Sequence, residues 1–216
     1  MHHAPSQSTK QRDMTPFDGL TFAEAFAASL EDKGLIAAGE PAASSLFVSG
    51  INTPLDTMVA IANHDALLML EFFDRRIFGA EVEFVARATS GTLHVGENAV
   101  TAQITAELES FFAGHSAVFE TPLALHGTDF VQSVWRAMVT VPAGETRSYG
   151  ALSRDLGNPR AVRAVAQANG ANRLAVIVPC HRIIGADGSL TGYGGGLWRK
   201  RWLLDHEARH FGHGLL

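Results

Sequence analysis

The apolar residues of this chain change their period part-way along it, and that change limits what the chain can fold into. Between residues 46 and 95 they come in short runs, LFVS, TMVAIAN, ALLMLEF, EVEFVA and TLHV, broken by Gly, Asp and Asn. Runs of that length between turn residues are strand signals. After His126-Gly127-Thr128 the spacing becomes helical, with Phe130, Val134, Trp135 and Met138 on one face. Strands gathered in one half and helices in the other predict an α/β chain of the α+β kind.

Residues 1–16 read as a tail. TFAEAFAASL at 21–30 favours a helix, with Thr21 and Glu24 at capping-box spacing. GEPAASS at 39–45 is a linker. Residues 98–112 carry Val100, Ile104, Leu108, Phe111 and Phe112 on one helical face, and AVFETPLAL at 117–125 returns to strand character. A turn follows at VPAGE, 141–145. Tyr149, Leu152 and Leu156 mark a short helix ended by Gly157. Asn158 then reads as an N-cap with Pro159 at the first helical position, and Val162, Val165 and Ala166 face inward from the helix that follows. Two short helices joined by a glycine-containing turn fit a helix-turn-helix; an unspecialised helical hairpin fits the same pattern. The boundaries expected are 1–45 for the tail and an extra helical segment, 46–124 for a small sheet domain with a helix, and 125–216 for a helical domain.

A chain of 216 residues that is 46% apolar can bury a substantial core. One cysteine excludes an internal disulfide and points to a reducing, cytoplasmic setting. The apolar runs are too short to span a bilayer, and MHHAPSQSTKQRD lacks the apolar stretch of a signal peptide. Net charge is −5, yet residues 126–216 hold eleven Lys/Arg against six Asp/Glu, while residues 1–125 hold six against sixteen. A basic half suits a polyanion partner, and ordinary variation between domains gives the same count.

The helix after Asn158 sharpens that question. A major-groove reader carries Asn, Gln, Arg or Lys near its N-terminus to reach base edges. Here the outward positions are Arg160, Ala161, Arg163, Ala164, Gln167 and Ala168. Alanines allow close approach of backbone to a surface but carry no base code. The arginines suit phosphate contact or insertion into a base stack. Binding with little sequence preference, or a plain solvated face, accounts for the pattern.

The single cysteine, Cys180, lies in IVPCHRII. A thiol with a pKa near 8.5 needs a base or a positive field to become a nucleophile. His181 is adjacent, but neighbours on an extended strand point to opposite faces, so direct contact requires a turn or a bridging water. A small buried residue remains an alternative on these grounds alone.

The surrounding motifs carry more. PCHR at 179–182, FVQSVW, PAGETRSYGAL, GNPRAVRAVAQANGAN, GYGGG and RKRWLLDHE, together spanning residues 130–207, resemble the active-site domain of the O6-alkylguanine-DNA alkyltransferases. TPLALHGTDF resembles that family's inter-domain connection; residues 46–115 match in outline, and residues 1–45 do not match. The resemblance implies a ribonuclease-H-like sheet domain followed by an all-helical, winged-helix or helix-turn-helix-like domain. It implies single-turnover transfer of the alkyl group from O6-alkylguanine, with O4-alkylthymine a further candidate substrate, to Cys180. His181 would activate Cys180 through a water, Glu207 would orient His181, and Asn172 would brace the turn before the cysteine. Tyr149 would support base flipping and give its phenolic proton to the guanine. Arg163 would fill the space left by the flipped base, with Gly150, Asn158, Ala161 and Ala164 at the DNA surface. Tyr193, Gly194, Ile183 and Val178 would form the pocket. The implied partner is double-stranded DNA met through the minor groove by a monomer, with no membrane, no metal and no cofactor.

Two departures stand out. Arg173 follows Asn172 where some members have proline, and Gly194 stands where some have serine. His206, His210 and His213 could suggest a metal, but a solvated helix end is simpler. The glycines at 192–196 lack the Lys-Ser/Thr of a phosphate loop and read as a tight loop lining the pocket. A cysteine protease, a helix-turn-helix regulator and a lesion-binding protein are the rival classes.

Overall fold

The computed structural model describes residues 20–30, 34–37 and 39–212. The tail expected at 1–16 and His213 lie outside the described residues. A four-stranded sheet has the order β3-β2-β1-β4, from β1 (Ser45–Thr53), β2 (Asp56–Ala62), β3 (Leu67–Phe72) and β4 (Thr92–Val95). The first three strands form an antiparallel meander, and β4 returns parallel to β1.

Both faces of this sheet are covered. Helix α1 (Phe22–Ser29) begins with the expected capping box between Thr21 and Glu24. With α2 (Phe78–Thr89) it closes one face through Phe26, Val59, Ile61, Phe78, Val82 and Val85. On the other face α3 (Ala99–Phe112) presents Ile104, Leu108 and Phe111 to Met58, Ala60 and Leu70. That second core continues without a break into Val134, Trp135, Leu174 and Leu203 of the later half.

EVEFVA, expected as a strand, lies within α2. The error has a simple cause. Phe78, Val82, Val85 and Ala86 repeat at helical spacing over a longer window and bury one face, whereas six residues alone read as alternation. AVFETPLAL is extended but forms no strand beyond a bridge from Leu123 to Leu67; Glu107 holds it instead, accepting bonds from the Glu120 amide and the Thr121 hydroxyl.

The later half contains α4 (Asp129–Val139), α5 (Tyr149–Asp155), α6 (Val162–Gly170) and α7 (Leu197–His210). It is not all-helical: β5 (Arg147–Ser148) and β6 (Ile183–Ile184) pair in parallel. Gly157, at φ +71°, follows α5 as expected. Asn158 does not cap α6; Ala161 does, without a side-chain bond, while the Asn158 carbonyl accepts from the Ala161 amide in a preceding turn. The inward face of α6 is Val165, Ala168 and Asn169, so Val162 and Ala166 turn outward and Ala168 inward, against expectation. Phe130, expected on the inward face of α4, is 37% exposed. Among the described residues no helix is long and apolar enough to cross a membrane.

Candidate active site

The edge strand β3 offers a free line of backbone groups, and the segment leading to Cys180 takes it. The Leu70 amide donates to the Arg173 carbonyl at 2.8 Å, and the Ala175 amide donates to the Leu70 carbonyl at 2.8 Å. Just before this bridge, α6 ends and Asn172 turns inward, 2% exposed. Its Oδ1 accepts from the Leu174 amide at 3.0 Å. Its Nδ2 donates to the Val178 carbonyl at 2.8 Å and reaches Cys180 Sγ at 3.2 Å. One side chain therefore closes a turn and holds the thiol.

The turn is strained. Val176 has φ +71°, a left-handed conformation costly for a β-branched residue. Tight bonds from the Ile177 amide to Ala175 and from the Val178 amide to Leu174 hold it. Cys180, His181 and Arg182 then form a single 3-10 turn. The extended backbone that would have set Cys180 and His181 on opposite faces is absent. Cys180 Sγ bonds to Asn172, while His181 turns to the last helix.

That helix supplies Lys200, Leu203 and Glu207 at spacings of three and four, all buried. Glu207 Oε1 lies 2.8 Å from His181 Nε2. The Arg182 fork donates to the same carboxylate at 2.8–3.2 Å, and the Gly144 amide adds a bond at 3.2 Å. Burial works to raise the Glu207 pKa, but the bonds and charges of His181 and Arg182 outweigh it and hold it at about 2. Burial lowers the His181 pKa against the pull of Glu207, so the ring is neutral at pH 7. A neutral imidazole facing a carboxylate through Nε2 carries its proton there. Nδ1, which bonds to no protein atom, is then the basic nitrogen. Burial pushes the Cys180 thiol up to about 11, with the Asn172 bond opposing it. The resting sulfur is a thiol.

Beside this centre lies a cleft of about 500 Å³. Tyr149, Arg163, Ala166 and Asn169 form one wall and residues 191–194 the other. Asn169 Nδ2 donates to the Tyr149 hydroxyl at 3.4 Å. Burial raises the Tyr149 pKa, so the phenol keeps its proton. Of the expected residues, Cys180, His181, Glu207 and Asn172 come together in the buried network, and Tyr149, Arg163, Tyr193 and Gly194 line the cleft. Val178 and Ile183 are fully buried and do not line it; the Ile183 carbonyl accepts from Lys200 Nζ at 2.6 Å. Gly150, Ala161 and Ala164 are half-buried on α5 and at the start of α6, and Asn158 is exposed in the turn between them.

Sequence reading missed Arg182 as a partner of Glu207, Lys200 as the bolt between Ile183 and Thr191, and Asn169 as the partner of Tyr149. Arg182 and Lys200 sat inside quoted motifs, yet residue type alone gave them no role. His206 proves to be a buried residue rather than a solvated one: it meets the Phe111 carbonyl at 2.7 Å and stacks on Trp202. Among the described residues no group of three or more His, Cys, Asp or Glu could hold a metal.

Comparison with known proteins decides the family. Residues 129–209 match the family model 6-O-methylguanine DNA methyltransferase, DNA binding domain. The methylated-DNA--protein-cysteine methyltransferase of Mycobacterium leprae is 40% identical over 157 residues, covering 73% of this chain and 89% of that protein. The chain belongs to the methylated-DNA–protein-cysteine methyltransferase family. The Mycobacterium bovis member is 57% identical over 101 residues, 47% of this chain; the chain spans 61% of that relative's length. The crystal structure of Mycobacterium tuberculosis OGT in complex with DNA superposes with a TM-score of 0.67 at 38% identity, covering 76% of this chain and 94% of that one. The mixed α/β architecture, a small sheet with several helices, is thus one this family's solved structures share.

Proposed function

We propose that this protein reverses O6-alkylguanine damage in DNA, each molecule acting once. The observation that carries the reading is the arrangement at one sulfur: Asn172 holds Cys180 beside a cleft, and Glu207 fixes the tautomer of the neighbouring imidazole. The thiol proton passes through a water to His181 Nδ1 while Sγ attacks the alkyl carbon. The S–C bond forms, the C–O6 bond breaks, and guanine takes a proton from Tyr149, which regains it from the imidazolium through solvent. Displacement at a saturated carbon needs no electron acceptor and no metal. The base must leave the duplex to reach the sulfur; Arg163, exposed at the cleft wall, fills its place, and the small residues of α6 let the minor groove approach.

The same reading divides the chain at residues 1–45, 46–124 and 125–216, with a ribonuclease-H-like sheet domain and a winged-helix-like domain. The four-stranded sheet with α2 and α3, and the β5–β6 pair beside α5 and α6, support it. A monomer in the cytoplasm, where a lone thiol stays reduced, completes it. The test is an intact mass after mixing with duplex DNA carrying O6-methylguanine. One methyl per chain is expected, saturating at one equivalent and absent in Cys180→Ala. Repeated turnover, or lesion binding without an adduct, would sink the proposal.

A further inference from the structure

Arg75 lies in the turn after β3, 95 residues or more from the hinge, and is 8% exposed. Its guanidinium pairs with Glu71 on β3 and lies 3.4 Å from Glu81 on α2. Nη1 donates to the Asn172 carbonyl at 3.0 Å and Nη2 to the Gly170 carbonyl at 3.1 Å. It thus satisfies two carbonyls that the end of α6 leaves open, one of them on the residue whose side chain holds Cys180.

Gly194 supplies the second observation. Its φ is not positive, so backbone freedom does not explain the glycine. A Cβ there would stand 2.7 Å from Arg75 Cζ and 2.8 Å from Nε and Nη2. A free arginine tip would swing aside. This one is fixed by two carboxylates and two carbonyls, so displacing it breaks several charge-assisted bonds in a buried place.

We propose that Arg75 is a positioning residue for alkyl transfer and that Gly194 is glycine to admit it, the pair coupling the sheet to the thiol through Asn172. This rests on the function proposed above. Arg75 is not itself a lining residue of the cleft, standing behind Gly170 and Gly194 of its wall; it acts by holding the Asn172 backbone, and with it the Nδ2 that meets Sγ. The missing side chain at Gly194 reflects an arginine behind the cleft wall, not a demand for a broader pocket.

The test is a double-mutant cycle read by single-turnover methyl transfer from duplex O6-methylguanine, fitted for limiting rate and half-saturating DNA. Gly194→Ala should lower the limiting rate by about tenfold, a coupling typical of residues in contact. Half-saturation should not change, and one methyl per chain should still be taken up. Arg75→Ala should slow the reaction similarly. In the Arg75→Ala background, Gly194→Ala should add less than about twofold, because the space has been vacated. Arg75→Lys, which keeps the charge but cannot bridge both carbonyls, should fall between, and it replaces the alanine if that variant does not fold. Equal slowing by Gly194→Ala in both backgrounds overturns the coupling, as does a change in half-saturation alone. Should the unsubstituted protein transfer no methyl group, the functional reading fails, and the cycle is read instead from iodoacetamide labelling of the single cysteine. Non-additive labelling rates then sustain the coupling, and additive ones end it.

Discussion

Two buried charge clusters flank Asn172, and they solve the same problem in opposite ways. On one side Glu207 has a guanidinium fork, an imidazole and a backbone amide to itself, and it stays ionised. On the other, Glu71 and Glu81 share Arg75. Burial raises the pKa of both despite that arginine, Glu81 to about 7. Arg173 bears on Glu81 from further off, its guanidinium 4.0 Å above the Phe84 ring. The difference shows that burial alone does not set ionisation; the count of donors per carboxylate does. The cluster around Glu207 and His181 is built for a fixed charge, and the one around Arg75 tolerates a proton.

The comparison breaks most decisively at Glu207. Glu207→Gln leaves Arg182 buried beside a neutral group, and loss of one partner of a buried pair costs about 3–5 kcal/mol. Transfer should also slow by about a hundredfold, the scale of a general base deprived of its orientation. Chemical denaturation and single-turnover rates check both. Retention of full rate would detach His181 from the reaction.

Next in size is the response to pH, where the clusters should act with opposite sign. Glu207, held at about 2 against 4.5 for a free carboxyl, binds fewer protons folded than unfolded between those values. Its contribution, on the order of 3 kcal/mol, is present above pH 4.5 and lost as pH falls towards 2. Glu81 binds more protons folded than unfolded between 4.5 and about 7. Its contribution is full below 4.5 and lost as pH rises through 7. Denaturation midpoints across pH 2–8 should therefore peak in mildly acid solution, and Glu81→Gln should flatten the arm between 4.5 and 7.

Arg163→Ala tests the exposed wall against the buried centre. Repair of duplex DNA should slow by about tenfold, within the range for a lost side chain that stabilises an unstacked step, while reaction with free O6-benzylguanine should hold its rate. Equal slowing of both would remove Arg163 from its plug role. The smallest effect belongs to Phe84→Ala, which removes the ring beneath Arg173. A loss of about 0.5–1 kcal/mol from the cation–π contact is expected by thermal denaturation, with methyl transfer unchanged.

The resemblance carried by the quoted motifs, rather than any spacing, singled out Asn172, His181 and Glu207 beside Cys180; His181 and Glu207 lie 26 residues apart. Arg163 was legible as an outward arginine of a short helix, whereas Tyr149 counted only among the markers of its helix and took its role from the resemblance. EVEFVA was misread because six residues cannot separate period 2 from 3.6. Arg182 stayed silent because a surface-type residue gives no sign of burial until its carboxylate arrives from twenty-five residues away.

By itself, then, the sequence determined the four sheet strands, most of the helices, the lone cysteine as candidate nucleophile and the likeness of residues 130–207 to a family, since these rest on local pattern and motif. Only the tertiary structure decided which nitrogen of His181 is basic, how far burial lifts the thiol, and that Arg75 stands behind Gly194. Those depend on burial and on partners distant in sequence, and no local pattern encodes them.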